Sequence, residues 1–123
     1  MKRLLPGLLL VLAPAAFAAP ASTHCGSFSS DYSVSRPLSI REIERKEMAN
    51  IAAMPKELSE GLPKKPFAYG YEGWVAFKSR MRPGERIVEF TSGAHSWQHL
   101  AGEAGYARMR GNCVIERFVT IMN

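Results

Sequence analysis

Two histidines four residues apart, His95 and His99, lie in the segment AHSWQHLAG. On a helix that spacing turns both imidazoles to one face, the geometry with which two-histidine sites hold a divalent metal. The pattern lacks the glutamate of H-E-x-x-H, and a third ligand would have to come from Glu44, Glu47, Glu89 or Glu103, none of which the sequence brings near. The plainer reading is a pair of surface histidines flanking a buried Trp97. Ser92 and Ser96 invite a hydrolase reading, but there is no G-x-S-x-G elbow, and Ser92 is better placed as a helix cap.

A second constellation is electrostatic. Between Ile40 and Met54 the apolar residues Ile40, Ile43, Ile51 and Met54 fall on one stripe of a helix, and Glu44 and Glu47 fall inside it. A carboxylate facing a core costs several kcal/mol, roughly, unless it is paired. A cationic partner is therefore expected from Arg82, Arg86, Arg108 or Arg117; the alternative is that this face is itself a site or docks another protein. A third group, Lys64, Lys65, Tyr69, Tyr71 and Trp74, sets bases among aromatics around a loop, the composition of binding surfaces. Such aromatics also cover small cores.

These residues need a scaffold, and the chain of 123 residues is enough for one domain. It opens with Lys2 and Arg3, an uncharged apolar run from Leu4 to Ala16, and the small-residue pattern Ala16-Phe17-Ala18. That is the form of a secretory signal peptide over residues 1–18, too short and too broken by Pro6, Gly7 and Pro14 for a membrane anchor. Its removal takes Lys2 and Arg3 and lowers the formal net charge from +5 to +3. The remaining bases alternate with acids, as in Arg41 to Glu47, so nucleic acid is not expected as a partner. A periplasmic or secreted location in turn favours a disulfide between Cys25 and Cys113, the only two cysteines.

Residues 19–38 show no period and read as an extended leader ordered by that disulfide. The domain proper is expected over 39–123. Ser39 and Glu42 form a capping-box pattern for a helix over 40–54, which Pro55 ends. Residues 56–70 read as a loop with one helical turn near 57–62. Trp74, Phe77 and Met81 give a second helix over 72–81. The run RIVEF, 86–90, reads as a strand, followed by a short helix capped by Ser92 and a hairpin of 106–110 and 113–122 about Gly111-Asn112, a type II′ turn. Because the last run is apolar on both faces, it is expected at the centre of the sheet. The resulting expectation is an α+β domain: a small, mainly antiparallel three-stranded sheet in order 1-3-2, a split β-α-β with a C-terminal hairpin, carrying two N-terminal helices on one face.

The segments RPGERIVEF, SWQHLAGEAGYA and FVTIMN, from Arg82 onward, resemble the C-terminal part of small uncharacterised bacterial proteins, many of them exported. The resemblance implies a bacterial origin and a recurring module, with no catalytic residues to carry over. Size, export and the lack of a convergent catalytic motif together point to a non-enzymatic module without a required cofactor, binding a partner protein or a small envelope ligand, with no stable membrane insertion after cleavage. An immunity or inhibitor protein is a special case of that reading. The alternative is a periplasmic protein that binds a divalent metal, or uses one in catalysis, through His95 and His99.

Overall fold

The computed structural model describes residues 25–123; the expected signal peptide and the first residues of the leader lie outside them. The domain is α+β, built on one four-stranded antiparallel sheet in the order β1 (Ser33–Val34), β2 (Glu85–Thr91), β3 (Glu103–Arg110), β4 (Cys113–Met122). Between β1 and β2 come α1 (Ile40–Ala52), α2 (Lys56–Ser59), a 3-10 turn (Ala68–Gly70) and α3 (Tyr71–Ser79); α4 (Ala94–Gln98) joins β2 to β3. Among the described residues no helix is long and apolar enough to cross a membrane.

Local chemistry sets the helices. The Ser39 hydroxyl accepts from the Glu42 N–H at 3.0 Å and starts α1. Pro55, which disfavours helical torsions in the residue before it, closes α1 and opens the single turn of α2. In α3 the i, i+3 pair Trp74 and Phe77 is buried against Ile43 of α1, Ile87 of β2 and Tyr106 of β3, forming the core beneath the helices.

The sheet departs from expectation in three ways. It has four strands, and β4 lies at an edge, leaving β3 with a full strand on each side. A parallel β-α-β crossover needs a dozen or more residues, whereas residues 92–102 hold only α4, so β3 turns back beside β2 as its antiparallel neighbour. The apolarity of β4 on both faces comes from register shifts. Arg108 pairs with Glu116 but Met109 with Val114, and Gly105 pairs with Val119 but Ala104 with Ile121, so Ile115 and Thr120 are extra residues. Each extra residue switches the facing of the strand. Val114 and Val119 therefore join the core on the back of the sheet, while Phe118 joins the core under the helices.

The third departure is the leader, whose described part belongs to the fold. Gly26 bridges Val114 on the outer edge of β4, and the chain then reaches the opposite edge, where β1 pairs with Phe90 and Thr91 and Leu38 donates to Ile87 at 2.8 Å. Phe28 and Tyr32, on the strap between those edges, stack on Phe90 at 5.0 and 6.2 Å and cover the back core. Arg117 lies over Phe28 at 4.7 Å and binds Glu103, which also accepts the Tyr32 hydroxyl at 2.8 Å. The Cys25–Cys113 disulfide, expected from the sequence, fastens this strap to the β3–β4 hairpin. At the hairpin turn Gly111 takes φ 57° and Asn112 does not take a positive φ, as a type II′ turn requires.

Candidate functional site

A cleft of about 760 Å³ opens between α1, the 3-10 turn and the end of the sheet where β2, β3 and β4 run side by side. Lys46, Glu47, Asn50 and Ile51, from successive turns of α1, and Met54 just beyond its end line one wall. The sheet supplies the floor through Glu89, Tyr106 and Phe118, which project from the helix-facing side of three adjacent strands. The third wall is residues 67–70, and its backbone is strained: Phe67 and Ala68 take φ values of 66° and 50°. Left-handed torsions cost a non-glycine residue about 1–2 kcal/mol each. The Phe67 ring offsets that cost by packing on Trp74 and Phe118 at 5.0 Å and on Tyr106 at 5.6 Å, and this contact holds the ring in the cleft wall.

The polar floor centres on Tyr106, a side chain 2% exposed, whose hydroxyl donates to Glu47 Oε1 at 2.6 Å. Burial, then the carboxylates of Glu47 and Glu89, push the phenol well above its ordinary range, so it remains a neutral donor. Asn50 Nδ2 lies 3.5 Å from Glu47 Oε2, and Lys46 binds Glu89 across the α1–β2 gap. Lys46, Glu47 and Glu89 are the charged residues of the lining, which contains no serine, cysteine or histidine. Such an arrangement can bind, donate and accept hydrogen bonds.

The cationic partners expected for the two stripe carboxylates are replaced. Glu44 binds Lys78 of α3 at 3.3 Å, and Glu47 takes the Tyr106 hydroxyl. Arg108 is already committed elsewhere: its guanidinium binds Glu85 and Glu116 at 2.9 Å, in a network that also holds Arg80 and Arg110. Arg117 is held by Glu103.

Of the loop cluster, Tyr69 lines the cleft with its ring exposed and its hydroxyl on the Gly61 carbonyl at 3.1 Å. Trp74 is fully buried, which moves it from the expected binding surface to the core. Lys65 sits over the Tyr71 ring at 5.1 Å, and Lys64 is exposed; neither lines the cleft.

His95 and His99 lie on α4 and at its end, both exposed, with ring centroids 4.1 Å apart and His99 Nδ1 2.8 Å from the His95 carbonyl oxygen. The four glutamates weighed as third ligands are paired to Lys78, Tyr106, Lys46 and Arg117 in turn. Among the described residues no group of three or more His, Cys, Asp and Glu side chains is placed to hold a metal ion. Ser92 does not cap α4. It is buried, and its hydroxyl accepts from the Glu103 N–H at 2.9 Å, while Gly93 precedes the helix with no side-chain cap.

Of the residues singled out from the sequence, Glu47, Tyr69 and Glu89, the last weighed only as a metal ligand, line this cleft; Tyr106, Phe67 and Phe118 line it too and were not singled out. The signal for Tyr106 was indirect: a carboxylate on an apolar stripe demands a donor, and a buried tyrosine is one. No family model matches the chain, and neither a curated protein nor a solved structure does so.

Proposed function

We propose that this chain is an exported, non-enzymatic binding module and that its ligand is a small amphipathic molecule held in the α1–sheet cleft. One observation carries the reading: an apolar, aromatic-walled cavity of about 760 Å³ converges on a few fixed polar groups, Tyr106, Glu47 and Asn50. Ligand sites have this size and this division between apolar wall and sparse polar floor. The paired cysteines and the charged, apolar, small-residue start of the chain support export.

The neutral apolar dye N-phenyl-1-naphthylamine tests it. Its fluorescence is expected to rise on binding the wild-type protein, and Ile51→Trp, which fills the cleft from α1, is expected to abolish that rise while the circular dichroism spectrum stays unchanged. Equal dye binding by the variant would place the apolar site elsewhere and end the proposal.

A further inference from the structure

The cleft's charge points to a ligand class, an assignment that rests on the binding reading above. The whole chain is formally +5, yet the lining holds two carboxylates, Glu47 and Glu89, against the single ammonium of Lys46. Both carboxylates act on the Tyr106 hydroxyl, which has one proton to give and spends it on Glu47. Glu89 is left to Lys46, whose side chain is 48% exposed, and exposed ion pairs of this kind hold weakly. Lys46 is thus a resident counter-ion that another cation can replace.

The surroundings suit such a cation. The rings of Phe67 and Phe118 stand at 5.0 Å from one another beside Tyr106, and the exposed ring of Tyr69 stands at the rim. Aromatic faces attract ammonium ions. Ile51 and Met54 continue the wall beyond the charged floor and offer apolar surface to the remainder of a ligand. An anion would meet a net negative lining. A neutral ligand would cover the Glu47 carboxylate, whose partners Tyr106 and Asn50 are uncharged, without giving it a charged one, and burying it so is costly.

We propose that the cleft recognises a primary ammonium ion on an apolar body, the ammonium bridging Glu47 and Glu89 in place of Lys46 and the body lying along Phe67, Phe118 and Ile51. Its three N–H donors can be divided between the two carboxylates, each of which offers more acceptor positions than its present partners occupy.

Three near-isosteric probes separate the possibilities: 2-phenylethylammonium, 2-phenylethanol and 3-phenylpropionate, each titrated at pH 7 into the disulfide-bonded protein and followed by amide shifts in nitrogen–proton correlation spectra. The ammonium is expected to shift the amides of Glu47, Gly70 and Tyr106 and to bind about tenfold more tightly than the alcohol, the increment of one charge-assisted hydrogen bond. Glu89→Gln is expected to remove most of that preference without changing alcohol affinity, and Lys46→Met to raise ammonium affinity by freeing its site. Equal affinities, tighter binding of the propionate, or no response to either variant would overturn the ammonium assignment while leaving a binding cleft in place. So would silence towards the ammonium in protein that still takes the naphthylamine dye. Loss of the dye signal as well would remove the binding reading itself.

Discussion

Replacing Tyr106 by Phe deletes one oxygen from the floor of the cleft and leaves the ring in its packing against Phe67 at 5.6 Å and Trp74 at 6.1 Å. What is lost is the 2.6 Å hydrogen bond to Glu47. Bonds to charged groups contribute about 1.5–3 kcal/mol, and the lower end applies here because Glu47 is only half-buried and water replaces part of the loss. Near neutral pH the variant is therefore expected to be less stable by about 1.5 kcal/mol.

The same residue adds a pH dependence whose sign is fixed. The folded-state pKa of Tyr106 lies above the ordinary value of 10.0. The unfolded chain loses this proton above pH 10 while the folded one keeps it, so unfolding releases a proton and stability falls as pH rises. The full contribution is present below pH 10, and about 1.4 kcal/mol of it is lost by pH 11. Tyr106→Phe has no such loss. Its deficit of about 1.5 kcal/mol is expected to shrink to nearly nothing at pH 11. Tyr32, whose pKa is also raised, chiefly by burial, remains in both proteins and cancels in the comparison. Urea unfolding at pH 7 and pH 11, with equal slopes required for both proteins, measures the two deficits. A deficit of the same size at both pH values would refute the argument that Tyr106 is held neutral by burial beside Glu47.

Two further outcomes follow from the strap and the sheet. The disulfide closes a loop with a sequence separation of 88 residues, for which chain entropy allows up to about 4 kcal/mol, so reductant is expected to lower the melting temperature of the protein by roughly 10 °C or more. An unchanged calorimetric transition after thiol release would show that Phe28 and Tyr32 hold the strap without the bond. Gly105→Ala is expected to lose several kcal/mol, roughly, because its new carbon would press into the Phe118 carbonyl oxygen and lie 2.9 Å from the Val119 Cα. Gly61→Ala, with nothing within 4 Å of the added carbon, is expected to leave stability unchanged or slightly raised. Comparable unfolding midpoints for the two variants would contradict the close β3–β4 approach.

The parts of the fold that the sequence made legible are those governed by local torsions and periodicity. Ser39 and Pro55 bound α1, Trp74 and Phe77 mark the buried face of α3, and Gly111-Asn112 turns the final hairpin. The parts it hid depend on which strand lies beside which. No period betrays a two-residue strand such as β1, and the extra residues Ile115 and Thr120 make an edge strand look like a central one. The site was hidden for the same reason. Glu47 advertised its need for a partner, but Tyr106 is 59 positions away, and two of the arginines suited to the task, Arg108 and Arg117, are drawn off by Glu85, Glu116 and Glu103. With β4 in the centre of the sheet, as the doubled apolar pattern suggested, the neighbours of β3 would differ and Glu89 would no longer stand opposite Tyr106, as it does in the β2–β3 register. The convergence of two glutamates on one phenol therefore belongs to the strand order, which two single-residue bulges in β4 conceal from any period-two reading.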